Sequence, residues 1–113
     1  MPDPNCIFCG IIAGDIPCTK VYEDDNILAF NDINPIARVH MLVVPKVHFD
    51  KLHESDETHI DMLGRLMVAA GKVAKITGLA EPGYRLRCHQ GKGAGQDVFH
   101  LHVHVTGGGS VPK

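Results

Sequence analysis

Residues 99–105 read Phe99-His100-Leu101-His102-Val103-His104-Val105. Apolar residues and histidines alternate without a break, in a run rich in β-branched and aromatic side chains. That is the period-2 signature of a half-buried strand. Successive side chains on a strand point to opposite faces, so Phe99, Leu101, Val103 and Val105 are expected on one face and His100, His102 and His104 on the other. Histidines two apart would stand ~6.5–7 Å from each other at Cα. A single exposed histidine carries no message, but three in register point to chemistry. Two kinds fit: shared coordination of a metal ion, or phosphoryl-group chemistry with imidazole as nucleophile and proton donor near pH 7.

Upstream of this strand lies Gly91-Lys92-Gly93-Ala94-Gly95-Gln96. It joins two strands and opens no helix, so it is neither a Walker loop nor a dinucleotide fingerprint. Its glycines still let backbone N–H groups come close to an anion, and the neighbouring histidines favour that use. Gly83 to Cys88 reads as the preceding strand. Before it, Ser55-Asp56-Glu57 supplies cap residues for a helix running from about Glu57 to Thr77, which Gly78 closes. From Ile60 to Ile76 the apolar residues of that helix cover an arc of roughly 200°, where packing on one sheet needs only about 100°. The excess implies a second partner, and a homodimer is the commonest one.

Nearer the N-terminus, Val39 to Val44 is a near-continuous apolar run bounded by Pro45, the pattern of a central strand. Ile27 to Phe30 and Val21 to Glu23 make two more, joined by an Asp24-Asp25-Asn26 turn. Ile7, Phe8, Ile11 and Ile12 fall at near-helical spacing and Gly14 ends a short helix. The expected architecture is α+β: a single antiparallel sheet of about five strands, one long helix and a short N-terminal helix.

The 113 residues suit one domain spanning 1–113. A 44% hydrophobic and 21% charged composition is that of an ordinary globular chain. A net charge of −2 argues against nucleic acid as partner, since nothing supplies a basic surface. With no run of 18 or more apolar residues, no membrane span is expected. Met1-Pro2-Asp3-Pro4-Asn5 lacks the features of a signal peptide, so the default location is cytoplasmic. There, Cys6, Cys9, Cys18 and Cys88 are expected as thiols or ligands, not disulfides. The spacing Cys6-Ile7-Phe8-Cys9 is that of half a zinc site or of a redox pair. No second such pair exists, so a zinc reading needs two ligands from elsewhere, drawn from the histidines.

Taken together, these segments resemble the histidine-triad (HIT) nucleotide-binding family. Its signature, His-φ-His-φ-His-φ-φ with φ apolar, reads here His100-Leu101-His102-Val103-His104-Val105-Thr106, with Thr106 as the one departure. Cys6-Ile-Phe-Cys9-Gly-Ile-Ile12, Leu28-Ala-Phe-Asn-Asp-Ile-Asn-Pro35, Val43-Val-Pro-Lys-Val-His48 and Gly95-Gln96 extend the resemblance over roughly residues 6 to 108. The branch it is most similar to is the small nucleoside-phosphoramidase type, whose members are homodimers. The resemblance implies that His102 attacks the α-phosphorus of a purine nucleoside phosphoramidate or acyl-nucleotide and forms a nucleotidyl-histidine that water hydrolyses, releasing AMP or GMP. It implies that His104 donates to the phosphoryl oxygens and leaving group. Backbone N–H groups after Gly95 and Gln96 would hold the phosphate, Asp32 the ribose hydroxyls, and Ile7, Phe8, Ile11, Phe30, Ile33 and Leu42 the base. Cys6, Cys9, His48 and His100 would bind a structural zinc. No magnesium requirement is expected, because donors around the phosphate can stabilise its charge.

Other readings of the same residues are hydrolysis of dinucleoside polyphosphates, a nucleotide-binding regulatory module with little turnover, and a metal-binding protein without nucleotide chemistry. Two positions depart from the branch. His89 stands where Asn is common and Asp97 where Ser or Thr is common. An ionised Asp97 cannot donate to a phosphate and would repel it, unless it points away, caps the loop, or is offset by His89.

Overall fold

The computed structural model describes residues 3–108. The strands are β1 (Lys20–Glu23), β2 (Ile27–Asn31), β3 (Val39–Pro45), β4 (Tyr84–Arg87) and β5 (Val103–Gly107), with α1 at Ile7–Ala13 and α2 at Ile60–Ile76. They form one antiparallel sheet in the order β1-β2-β3-β5-β4. The expected α+β architecture is therefore what the chain adopts. Local chemistry sets the turns. Asp24 Oδ1 accepts the N–H groups of Asn26 and Ile27, both at 2.8 Å, and reverses the chain between β1 and β2. Gly14, at φ +86°, closes α1 in a left-handed conformation that side chains avoid.

Both sheet faces are covered, which is why β2 and β3 read as continuous apolar runs rather than alternating ones. On one face, α2 lays Leu66, Ala69, Ala70, Val73 and Ala74 against Ile27, Ala29, Met41, Val43, Val103 and Val105. On the other, α1 brings Phe8 and Ile11 over Leu28, Phe30, Leu42 and Val44. The histidines lie on this second face, beside the short helix.

The structure departs from the sequence reading in three places. The histidine strand starts at Val103, not Phe99. Before it the chain bends, and the Leu101 N–H donates to the Phe49 carbonyl at 2.6 Å instead of joining the ladder. Phe99 accordingly leaves the core row: it is 47% exposed, with the Lys51 ammonium 4.8 Å from its ring centroid. Leu101, Val103 and Val105 keep the expected alternation and are buried. The expected long helix is divided, a 3₁₀ turn at Glu57–His59 leading into α2, and the Asp56 side chain caps that turn by accepting the Thr58 N–H. Finally, β4 is shorter than Gly83–Cys88 by a residue at each end.

The outer side of α2 leaves Ile60, Met67, Val68 and Ile76 exposed, and edge strand β4 exposes Tyr84 and Leu86. The apolar arc thus exceeds what the sheet uses. Among the described residues, no helix is long and apolar enough to cross a membrane.

Candidate active site

The three histidines of the row meet three different surroundings. His100 is fully buried, and its Nε2–H donates to the Pro45 carbonyl at 2.8 Å. A carbonyl can only accept, so the proton sits on Nε2 and Nδ1 keeps a lone pair. That lone pair faces Cys6 Sγ at 3.4 Å and Cys9 Sγ at 3.6 Å, while His48 Nδ1 lies 3.2 Å from Cys9 Sγ. A tetrahedral zinc with Zn–S ~2.3 Å and Zn–N ~2.0–2.1 Å has S···N edges of ~3.6 Å. The four donor atoms, all within 4.8 Å of one another, fit such an ion. On the far side of His48, Asp3 Oδ2 is 3.9 Å from Nε2, the place where a carboxylate orients a ligating imidazole. Burial is the leading cause that pushes the Cys6 thiol up; the Cys9 N–H opposes it and the Cys9 thiol adds to it.

His102 is also buried. Its Nδ1–H donates to the His100 carbonyl at 2.7 Å, so Nε2 holds the free lone pair. The ring of Phe8 stands edge-on to it, centroids 5.0 Å apart, and α1 thereby fixes the imidazole plane. Burial, first among the causes, pushes its pKa down and keeps the ring neutral at pH 7.

His104 is oriented by a residue outside the triad. The Ile36 N–H donates to His40 Nδ1 at 3.1 Å, leaving the His40 proton on Nε2. That Nε2–H points at His104 Nδ1, 2.9 Å away, with Asp32 Oδ2 at 3.4 Å beside it. His104 Nδ1 therefore accepts, and the neutral ring carries its proton on Nε2. Burial chiefly, then the neighbouring His102, His40 and His89, push His104 down to about 4. His40 is buried inside the apolar run of β3. The sequence reading took that run as core and passed over it, yet a polar residue in a central strand needs a partner, and this one orients a triad histidine.

A cleft of about 270 Å³ opens in front of these rings. Ile7, Phe8, Ile11, Phe30, Ile33 and Leu42 line it, together with Asp32, Asp97, His102 and His104. The apolar residues expected around a base and the carboxylate expected at a ribose thus border one space with two of the triad histidines. Ile33, 90% exposed, stands at the mouth. His89, Gly95 and Gln96 lie outside this lining. His89 flanks His104 from the β4 side, ring centroids 5.0 Å apart.

Gln96 holds the glycine loop together. Its buried amide accepts from the Gly91 N–H at 2.7 Å and from Lys51, and donates to Asp50 Oδ1 at 2.6 Å and the Val98 carbonyl at 3.1 Å. Its own N–H is bound to the Gly91 carbonyl. The N–H groups of Asp97 and Val98 have no acceptor among the described residues, and both residues line the cleft. Asp50 and Lys51, which the sequence reading did not single out, brace this loop from the segment after β3.

The HIT domain family model matches residues 13–111. The chain belongs to the HIT family. It is 40% identical over 102 residues to the purine nucleoside phosphoramidase of Escherichia coli K12, covering 90% of this chain and 86% of that one. It is 49% identical over 106 residues to the 14 kDa zinc-binding protein of Brassica juncea, covering 92% and 93%. A HIT family hydrolase from Clostridium thermocellum superposes with a TM-score of 0.92 at 46% identity, covering 98% of this chain and 97% of that one. In this HIT protein the signature histidines divide the work: His100 faces the thiols, while His102 and His104 face the cleft.

Proposed function

We propose that this HIT protein is a nucleotide-binding hydrolase that cleaves the phosphorus–nitrogen or acyl-phosphate bond of purine nucleoside phosphoramidates and acyl-nucleotides. The observation that carries this reading is the lone pair of His102 Nε2, freed by the Nδ1–H bond to the His100 carbonyl and kept neutral by burial. Neutral imidazole is a competent nucleophile, and a covalent intermediate splits one hard displacement into two easier ones. His102 Nε2 attacks the α-phosphorus. The phosphorus–nitrogen bond breaks with its electron pair going to the nitrogen, which takes its proton from solvent, while the His104 Nε2–H donates hydrogen bonds to the phosphoryl oxygens and leaving group. Water then cleaves the His102–phosphorus bond and releases AMP or GMP.

The base rests in the apolar cleft, Asp32 accepts from ribose hydroxyls, and the Asp97 and Val98 N–H groups take phosphoryl oxygens. Cys6, Cys9, His48 and His100 would hold a structural zinc, which would tie α1 to the sheet and with it Phe8 against His102. Two copies associate through the apolar surface that α2 and β4 leave uncovered. None of the four cysteines is in a disulfide, which suits the reducing cytoplasm. A panel of nucleoside phosphoramidates with His102→Ala as blank tests the reading. Hydrolysis of AMP-amides faster than of diadenosine polyphosphates, absent in the variant, is the expected result.

A further inference from the structure

We propose that the sheet surface on the β4 side of His104 is a binding site for an anionic leaving group, held by Arg85 and Arg87. The proposal rests on the reaction put forward above and names the part of the substrate that reaction discards. It begins with register. Leu42, His104 and Arg87 lie abreast on β3, β5 and β4, and His40, Thr106 and Arg85 lie abreast in the next row. Residues directly opposite in antiparallel strands point to the same face, and neighbouring strands are ~4.8 Å apart. His104 therefore stands between two unlike surfaces. Leu42, on the β3 side, belongs to the apolar cleft with its Asp32 carboxylate. Arg87 and Arg85 are on the β4 side.

Both arginines are exposed, and neither guanidinium has an acidic or hydrogen-bonding partner among the described residues. They border a second cleft, of about 670 Å³, whose other walls include Ile36, Pro82, Thr106 and Gly107 and no acidic side chain. His89 adds an imidazole against His104, ring centroids 5.0 Å apart. The nucleoside occupies the apolar side, so the group bonded to the far side of the α-phosphorus extends away from it, toward these cations. A guanidinium presents a planar fork of donors that matches a carboxylate, sulfate or phosphate in two parallel hydrogen bonds. The chemical class is thus a leaving group bearing such an anion, and a neutral or cationic one gains nothing there.

Two AMP phosphoramidates that differ only in the amine decide the matter: one of β-alanine, which carries a carboxylate, and one of 3-amino-1-propanol, which does not. The kcat/KM of the first should exceed that of the second by about tenfold at low ionic strength. The ratio should fall toward one in the Arg85→Gln/Arg87→Gln double variant, and in the unaltered protein as salt screens the contact. A ratio near one from the start, or one that salt and the substitutions leave unchanged, overturns the proposal. Failure to hydrolyse either amide overturns the reaction instead. Calorimetry of both conjugates with His102→Ala then reads the site alone, and equal affinities overturn it.

Discussion

The Nδ1–H of His102 donates to the carbonyl oxygen of His100, 2.7 Å away. One residue thereby serves two sites. The His100 ring turns its Nδ1 toward Cys6 and Cys9, while its backbone sets the tautomer of the histidine two positions on. Each ring of the row has one nitrogen committed to a fixed partner: Pro45 for His100, the His100 carbonyl for His102 and His40 for His104. The remaining nitrogen of each is left uncommitted: a lone pair on His100 and on His102, and an N–H on His104.

His40 is a positioning residue for His104. Its replacement by Ala removes the N–H that fixes the His104 tautomer, and kcat should fall by about 10²-fold. KM should change little, because His40 is buried and does not line the cleft. Steady-state kinetics on AMP-amide check this. A rise in KM with kcat intact would place His40 in binding.

Acid should destabilise the protein in a definite window. His104 is held down at about 4, and burial lowers His100 and His102 as well. The unfolded chain takes up protons at ~6.5 that the native rings refuse. Stability therefore falls as pH drops from about 6.5 toward about 4, and His104 contributes on the order of 2 kcal/mol after allowance for solvent at its half-buried ring. Urea midpoints at pH 7, 5.5 and 4.5 measure the slope, which should shrink in His104→Asn.

Protein purified without chelator should carry one zinc per chain. Cys9→Ser should lose the metal and lower Tm by several degrees, since an ion that binds only the native state stabilises it. Metal analysis and thermal melts check both. Because His100 also anchors His102, kcat should drop with the metal. Well below one zinc per chain in the unaltered protein would contradict the site.

The Asp97 carboxylate is exposed and makes no hydrogen bond among the described residues, so it does not cap the loop. It borders the cleft beside His102. Like charges ~4 Å apart repel by on the order of 1–4 kcal/mol at effective dielectrics of 80 to 20. Asp97→Ser should therefore tighten AMP about fivefold or more, and by more at low ionic strength. Calorimetry showing unchanged or weaker binding contradicts the repulsion.

Which of these features could be read from the sequence follows from range. The alternation of residues 101–105, the Asp24 turn and the Gly14 and Gly78 stops are local patterns, and each recurs in the structure. The break of the strand at Leu101 is not local, because its cause is the Phe49 carbonyl, 52 residues away by number. The same holds for Gln96, whose partners Asp50 and Lys51 lie on a different segment. His40 was within reach: a lone histidine between Val39 and Met41 in a central strand signals a buried polar group that needs a partner. The partner itself is set by the β3–β5 pairing, which no spacing reveals.

In the proposed reaction His102 Nε2 becomes bonded to phosphorus. Quench of the protein in denaturant at alkaline pH in the first turnovers of AMP-amide, followed by intact-protein and peptide mass spectrometry, tests it. One adenylyl group per chain is expected, stable in alkali and lost in acid, located on His102 and absent from His102→Ala. Turnover at full rate with no adduct, or an adduct on another residue, would contradict it.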